Sequence, residues 1–395
     1  MMKITSLMVA GALTLLAGTA TAQTDASRAT TAAMLADAQT RTSLSDGQGA
    51  GRDEKGFFLT GGGARLNIGG DVQFRYTYNT NRSGDNNDEM GFSLPLVRLR
   101  FNGNLNESID YMLEGEFDSD GGDASLADAY AGWTLSPGAR VQFGQYRLGF
   151  MREVNVAERF QLAADRSIVS SVFGQGRSQG VQFSYDTGDF RFIGSVSDGF
   201  NTANTDFTDP AESDLALTGR VEWLAFGNRS STTDFTSQRS ENGSLLLGGA
   251  FHYQEGDTQN TMYSYTGDVS WENSGWNAML AGVGRTIEDA GSDFDDFGVV
   301  VQGGYRVTEN IEPFARYDAV FADSNRGLDN DNFNFITAGV NYYLYGHAAK
   351  FTVDAVYSLD DTTGLGSLGN FSNTGVLGSG DEGELALRAQ FQLLF

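Results

Sequence analysis

ELALRAQFQLLF, residues 384–395 at the end of the chain, alternates between two kinds of side chain. Apolar residues occupy every second position from 385 to 395, and polar residues or alanine occupy positions 384 to 392 between them. A period of two residues is typical of a β-strand with one apolar face and one polar face. We therefore predict a terminal strand whose two faces contact different surroundings.

A final amphipathic strand that ends in an aromatic residue, here Phe395, resembles the closing strand of bacterial outer-membrane barrels. In such barrels the apolar face contacts lipid and the polar face contacts a watery lumen. Because an unpaired strand edge is unstable in lipid, the last strand would have to pair with the first. The alternative is an edge strand of a soluble β-sandwich, and the rest of the chain must distinguish the two.

The composition excludes several classes of protein. The chain has 395 residues, no cysteine and a formal net charge of -25. Without cysteine there is no disulfide framework and no cysteine-ligated metal site. The strong negative charge argues against nucleic acid as a partner. No stretch reaches the length of uninterrupted apolar sequence that a transmembrane helix needs.

The N-terminus predicts export. Lys3 precedes an apolar run at 7–16, and Ala20 and Ala22 form a small-residue cleavage site before Gln23. This order is typical of a signal peptide, which we assign to residues 1–22. Residues 23–63 are predicted to be a periplasmic leader with a short helix at about 31–42.

Amphipathic segments then repeat from residue 64 to the C-terminus. We predict an all-β fold, a transmembrane antiparallel β-barrel that spans residues 64–395 as one domain. Its number of strands, about sixteen, is even, as in bacterial barrels of a single chain. The predicted strands lie at 65–78, 97–102, 109–118, 124–135, 139–150, 177–187, 189–198, 214–227, 244–255, 259–272, 275–288, 295–307, 310–322, 332–345, 348–360 and 381–395.

The connections alternate in length. Short turns at 106–108, 136–138, 187–189, 273–275, 308–310 and 345–347 alternate with long loops, of which the longest are 79–91, 151–176, 199–213 and 361–380. Short periplasmic turns and long extracellular loops are typical of porins, and a soluble sandwich has no reason to keep this parity. The segment 228–243 is the exception, because it is long and falls on the side of the short turns.

Residues 92–199 resemble the phosphate-selective porin O/P family. The resemblance is carried by VRLRFNG (97–103), YMLEGEFD (111–118), ADAYA (127–131), VQFGQYR (141–147), DRS (165–167) and GRSQGV (176–181). It implies a sixteen-stranded barrel, usually a homotrimer, whose third loop folds inward to narrow the pore. The long loops of this chain are rich in aspartate and contain no lysine, unlike the lysine-rich loops of phosphate-selective members. The resemblance therefore leaves the solute open.

The polar faces of the predicted strands sort by charge. Arginines lie on the first, second and last strands, which become neighbours when the barrel closes, and carboxylates lie on the third and fourth. A basic wall beside an acidic wall would set up a transverse field across the pore. The alternative is that the two columns pair and stiffen the wall. The candidate pore-lining residues are Arg65, Arg75, Arg98, Arg100, Glu114, Glu116, Asp128 and Arg388.

The loop 151–176 is the candidate constriction loop. Charged residues alternate there with apolar ones, which predicts short helical turns packed inside the barrel. The alternative is an external loop at a trimer contact. The candidate residues are Arg152, Glu158, Arg159, Asp165 and Arg166, with Arg177 at the end of the loop.

These features predict an outer-membrane porin for passive diffusion of ions and small hydrophilic solutes, with phosphate and other anions among the candidates. Its expected partners are outer-membrane lipid, the solutes and further copies of the chain. We expect no enzyme activity, cofactor or metal, because His252 and His347 lie far apart and lack a nucleophile motif. The alternative function is a structural or adhesive outer-membrane protein with a plugged barrel.

Overall fold

The computed structural model describes residues 49–53, 56–80, 88–117, 122–239, 242–256, 260–289, 292–371, 373–378 and 383–395. The assigned signal peptide and the predicted helix at 31–42 lie outside the described residues. No helix among the described residues has the length and apolar composition that crossing a membrane requires.

Antiparallel strands form nearly all of the described structure. The strands are β1 (Gly49–Asp53), β2 (Gly56–Gly61), β3 (Ala64–Thr80), β4 (Glu89–Asn104), β5 (Ile109–Phe117), β6 (Ala124–Ser136), β7 (Ala139–Arg147), β8 (Arg177–Asp186), β9 (Phe190–Ser197), β10 (Leu215–Phe226), β11 (Ser244–Glu255), β12 (Thr261–Asn273), β13 (Trp276–Asp289), β14 (Ser292–Tyr305), β15 (Ile311–Phe321), β16 (Asn332–Tyr345), β17 (Ala349–Ser358) and β18 (Leu385–Leu394). Two short helices, α1 (Arg152–Asn155) and α2 (Ile168–Phe173), lie in the loop between β7 and β8. Single 3₁₀ turns occur at Glu158–Phe160, Ser231–Thr233, Ser324–Arg326 and Leu365–Ser367.

The last strand closes the barrel, as its sequence predicts. β18 pairs with β3 from Leu385 opposite Thr80 to Leu394 opposite Asp71. The backbone of Phe395 continues the ladder and exchanges two hydrogen bonds with Gly70, at 3.0 and 3.1 Å. Strands β3–β18 therefore form a closed barrel of sixteen antiparallel strands, which confirms the predicted fold.

The end of the predicted leader contributes two further strands. β1 pairs with β2, and β2 pairs with the first residues of β3 below the point where β18 ends. Arg65 at the start of β3 forms an ion pair with Asp53 of β1 and lies over the ring of Phe58, 4.2 Å from its centroid. This hairpin extends the barrel wall at the end with the short turns, which in outer-membrane barrels faces the periplasm.

The two faces of the wall differ as the alternation predicts. Apolar side chains such as Phe74, Phe351 and Leu387 are exposed on the outer face. All four tryptophans are also exposed, and each lies close to a short turn or to the segment 228–243. Tyr343, by contrast, is buried and hydrogen bonded to Glu312, because odd positions of this part of β16 face inward.

The predicted strand 97–102 is much longer in the structure, where β4 begins at Glu89. The ladder between β3 and β4 shifts register where Gln73 pairs with Leu96 and Arg75 pairs with Ser93, so that β4 carries an extra residue there. Such a β-bulge changes which positions face outward. The alternation before and after residue 95 is therefore out of phase, which explains why the pattern showed only part of the strand.

Candidate pore and its constriction

The constriction loop, residues 151–176, lies inside the barrel. Its apolar side chains pack against an apolar patch on the inner wall of β13–β18, which departs from the polar inner face of the other strands. Burial of this patch gives the loop a core of its own and fixes it to one side of the lumen. The loop contributes Met151, Val154, Val156, Leu162, Ala163, Ile168, Val169, Val172 and Phe173, and the wall contributes Met279, Ala281, Val283, Val300, Phe314, Val320, Phe333, Phe335, Val356 and Ala386.

Polar side chains of the wall hold the backbone of the constriction loop and of Phe150 just before it. An irregular segment that lies inside a barrel must satisfy its carbonyl groups locally, because an unpaired buried polar group is costly. Here eight wall side chains donate to its carbonyl oxygens. They are Arg220 to Phe150 at 2.8 Å, Arg147 to Val154 at 2.9 Å, Gln392 to Arg159 at 3.1 Å, Lys350 to Gln161 at 2.8 Å, Asn341 to Leu162 at 2.9 Å, Arg75 to Ala164 at 2.7 Å, Arg316 to Asp165 at 2.9 Å and Arg285 to Val172 at 2.9 Å.

Wall carboxylates bind the N–H groups of the same loop. Asp354 of β17 accepts a hydrogen bond from the Ala164 N–H at 2.8 Å. Asp318 of β15 accepts one from the Ile168 N–H at 2.7 Å, at the first residue of α2. These bonds add directional contacts to the apolar packing and fix the register of the loop against the wall.

A second inward segment comes from the last long loop, between β17 and β18. Leu365, Leu368, Phe371 and Val376 belong to the same apolar cluster as the constriction loop. The carbonyl oxygen of Thr374 accepts a hydrogen bond from Arg388 at 2.7 Å. This loop therefore covers the constriction loop from the end with the long loops.

The third inward segment is residues 228–243, which we call the turn-end segment. Its described part places Phe235 in the apolar cluster, and the N–H of Phe235 donates to the carbonyl oxygen of Phe160 at 3.4 Å. Arg152 of the constriction loop donates to the carbonyl oxygen of Thr232. The exceptional length of this connection thus corresponds to a segment that enters the lumen from the turn end and meets the constriction loop.

The charges predicted to form two walls are paired. Arg98 and Arg100 of β4 face Glu114 and Glu116 of β5, with N–O distances of 2.6 Å for Arg100–Glu114 and 2.8 Å for Arg98–Glu116. Arg100 also bridges Asp71 of β3 at 2.9 Å. Because the opposite charges are neighbours across adjacent strands, the geometry corresponds to the alternative in which the columns neutralise each other.

Not every candidate joins this network. Arg65 pairs with Asp53 at the rim, away from the other candidates. Arg388 forms a two-point ion pair with Asp354, both distances being 2.7 Å. Arg152 instead hydrogen bonds to the Ser270 hydroxyl at 3.3 Å and to the turn-end segment.

Arg177 requires a correction. We assigned it to the constriction loop, but it is the first residue of β8 and pairs with Arg147 in the ladder between β7 and β8. Its guanidinium bridges Asp128 at 3.0 Å and Glu114 at 3.2 Å. Arg177 therefore belongs to the wall, in agreement with the predicted strand 177–187, and not to the constriction loop with which we grouped it.

Arg159 and Asp165 of the constriction loop form ion pairs with the first strand of the barrel, β3. Arg159 bridges Asp71 of β3 at 2.7 Å, and Asp165 lies 3.4 Å from Arg75 of the same strand. Asp71 was not among the candidate pore residues, although it lies on the polar face of the predicted first strand. Its position on that face was the signal that could have found it.

Glu158 is the centre of the charged part of the loop. Its carboxylate bridges Arg98 of β4 at 2.8 Å, Arg147 of β7 at 2.9 Å and Arg166 of the loop at 2.8 Å. Burial alone would raise the pKa of the Glu158 carboxyl, but the three guanidinium groups hold that pKa well below its usual range. The side chain is therefore ionised at any physiological pH. Arg147, like Asp71, was missed as a member of this network.

Three cavities follow the side of the barrel that the apolar patch leaves free. One of about 420 Å³ lies at the loop end beside β3–β5, and one of about 130 Å³ lies next to it and is bordered by Arg98 and Glu158. A third, of about 760 Å³, is bordered by Arg147 and Val156 and extends to the turn-end segment. The first two share the lining residues Arg75, Pro95, Glu116 and Asn373.

The comparison with known families agrees with this architecture. The family model of the phosphate-selective porins O and P matches residues 64–367, which is most of the barrel. The chain belongs to this porin family. The closed barrel and the family together make it an outer-membrane channel. No group of three or more potential metal ligands occurs among the residues that the structure describes.

Solved porin structures share the fold. The anion-selective porin from Comamonas acidovorans is 13% identical, with a TM-score of 0.58 over 84% of this chain and 100% of that one. The outer membrane channel DcaP of Acinetobacter baumannii is 16% identical, with a TM-score of 0.57 over 84% and 98% of the chains. OmpT of Vibrio cholerae in its trimer form is 14% identical, with a TM-score of 0.57 over 84% and 99%. No curated protein matches the chain.

In this porin a histidine lies where the turn-end segment meets the constriction loop. His347, in the turn between β16 and β17, packs edge-on against Phe160, with ring centroids 5.1 Å apart. Its Nε2 atom lies 3.3 Å from a carboxylate oxygen of Asp234 in the turn-end segment. Burial lowers the pKa of His347 below its ordinary value, and Lys350 and Arg306 nearby add to this effect against the opposing charge of Asp234.

Acidification on the turn-end side, from about pH 7.5 to about pH 5.5, is expected to loosen the turn-end segment. If the turn-end segment leaves the lumen, His347 becomes exposed and its pKa returns to about 6.5, so the opened segment takes up the proton more readily than the packed one. The packed position of the segment is therefore destabilised as the pH falls through about 6.5, and the effect vanishes above that value. More frequent opening events in a planar bilayer would show this. His347→Gln should remove the dependence, and an unchanged response would assign it to other groups.

Proposed function

We propose that this porin conducts ions and small hydrophilic solutes by passive diffusion along the side of the lumen formed by β3–β10. The observation that carries the proposal is the inward constriction loop, which occupies the opposite side and leaves cavities lined by paired arginines and carboxylates. A water-filled passage removes the cost of moving a polar solute through hydrocarbon. Its width and its lining charges then determine selectivity.

Planar-bilayer recordings of the full barrel in a KCl gradient test this function. Discrete ohmic current steps would support a pore, and the sign of the reversal potential would give the preferred ion.

Lys350, the one lysine among the described residues, is buried and bonded to the loop, so no lysine-lined entrance favours tight phosphate binding. Block by a low phosphate concentration would contradict that expectation. A folded barrel without conductance would instead favour the plugged structural or adhesive protein, because segments from both ends meet inside the lumen.

Replacing Arg98 and Arg100 together by glutamine is expected to lower the permeability of chloride relative to potassium. The double replacement leaves Glu116 without its ion-pair partner Arg98, and it removes Arg100 from Asp71 and both arginines of β4 from Glu114. The passage therefore gains negative charge. The shift in reversal potential across a KCl gradient measures the change. Arg65→Gln is the matched control, since Arg65 lies at the rim. Equal reversal potentials for the wild type and the double variant would place these arginines outside the conducting path.

We further propose that the porin assembles as a homotrimer and that residues 1–22 are removed on export. The trimer is supported by the family resemblance and by the trimeric form of the OmpT structure with the same fold. The signal peptide is supported by the order of Lys3, the apolar run and the small residues before Gln23.

A further inference from the structure

The charges around Glu158 are unequal in number, since three guanidinium groups surround one carboxylate. Arg98 has other carboxylate partners in Glu114 and Glu116. Arg147 and Arg166 have none: within the described part of the chain, Glu158 is the one carboxylate that forms an ion pair with either of them. The remaining hydrogen bonds of their guanidinium groups go to carbonyl oxygens of the constriction loop. We call Arg98, Arg147 and Arg166 the arginine cage.

The arginine cage binds its carboxylate in the manner of a ligand site. Arg98 contacts both oxygens, with Nη1 2.8 Å from Oε2 and Nη2 3.4 Å from Oε1 of Glu158. Arg147 and Arg166 donate to Oε1 at 2.9 and 2.8 Å. Two-point contact by a guanidinium fork is the geometry that recognises planar carboxylates. The bound group is a side chain of the loop rather than a free solute.

The cage also lies between two open spaces. The cavity of about 130 Å³ borders Glu158, Arg98 and Arg166 on the loop side. The cavity of about 760 Å³ borders Arg147 on the turn side. The smaller cavity has room for several water molecules and hence for a small organic anion beside Glu158. Members of the cage therefore border both spaces.

We propose that the arginine cage is a binding site for small carboxylates, and that Glu158 is a tethered anion that occupies it between solutes. A carboxylate that enters from either cavity replaces the Glu158 side chain on the three guanidinium groups and releases the site when Glu158 returns. The inference rests on the proposed pore and names the solute class that its arginine cage selects. Because Glu158 stays ionised, the competition is always between two anions.

Glu158→Gln tests the site, because it keeps the shape of the side chain and removes its charge. In a bilayer with a KCl gradient, the variant is expected to shift the reversal potential toward chloride. Acetate should then reduce its current at a concentration at least about tenfold lower than in the wild type. Glu116→Gln is the matched control, since Glu116 also bridges Arg98 at 2.8 Å but is not a partner of Arg147 or Arg166.

The outcomes separate the site from the pore. A wild type without conductance would remove the proposed function, whereas a conducting wild type with identical acetate sensitivity in both variants would overturn only the carboxylate site. Equal block of the Glu158→Gln variant by acetate and by phosphate would also overturn it, because the cage would then act as diffuse positive charge.

A second variant keeps the test valid if Glu158→Gln folds poorly. Glu158→Ala opens a space for a free carboxylate at the cage. Sodium acetate is expected to raise the heat-unfolding midpoint of this variant more than sodium chloride at the same ionic strength, and to leave the wild type unchanged. Equal effects of the two salts on the alanine variant would overturn the proposal without reference to conductance.

Discussion

Replacing residues 155–170 by a short glycine–serine linker is expected to raise the single-channel conductance several-fold. This stretch supplies Val156, Leu162, Ala163, Ile168 and Val169 to the apolar cluster that holds the constriction loop in the lumen. A barrel of sixteen strands without an inward loop encloses a wide aqueous channel. Removal of the stretch therefore widens the passage where the constriction loop occupies the lumen. Planar-bilayer recordings in symmetrical KCl measure the change.

The control for this experiment is a deletion in another long loop, one that is exposed rather than packed inside the barrel. The loop between β9 and β10 is largely exposed at residues 206–211, where Phe207 has 89% of its surface exposed. Shortening it there should leave conductance unchanged. If the shortened constriction loop also gave wild-type conductance, the constriction would have to lie elsewhere, for example at the turn-end segment around Phe235.

The wall of the barrel could be predicted from sequence because its signal is local. Alternation along β18 or β12 depends only on which side of the sheet each residue faces, and that rule holds residue by residue. It failed at the bulge near Pro95, where one extra residue reversed the parity, and it therefore showed β4 as a fragment. The pairing of Arg98 and Arg100 with β5 was left open for a related reason, since alternation places side chains inward but gives no register between strands.

The interior could not be predicted in the same way, because its contacts join distant parts of the chain. Ala164 and Asp354 are 190 residues apart, and no periodicity links them. The apolar inner patch on β13–β18 also breaks the rule that lumen-facing residues are polar, since Phe333 and Phe335 face the constriction loop. For the turn-end segment, parity identified an exceptional connection, but its path into the lumen depends on contacts such as that of Phe235 with Phe160.

Asp354→Asn is expected to lower the free energy of unfolding by about 3–5 kcal/mol, the range for breaking a buried ion pair. The side chains of Asp354 and Arg388 have no exposed surface, and they join β17 to the strand that closes the barrel. Asparagine keeps the shape and still accepts from the Ala164 N–H, so the loss reports the unpaired guanidinium. Urea unfolding in detergent micelles, followed by the gel mobility of the folded barrel, measures it.

Two comparisons distinguish an unpaired charge from a general loss of contacts. The double variant Asp354→Asn with Arg388→Met should recover most of the lost stability, because no buried charge then lacks a partner. Asp53→Asn is the exposed control: its partner Arg65 is 28% exposed and Asp53 itself 38%, so solvent screening keeps the effect at about 0–1 kcal/mol. If the double variant were less stable than Asp354→Asn alone, the Arg388 bond to the Thr374 carbonyl would be the larger contribution, and closure of the barrel would depend on the last loop as well as on the strand pair.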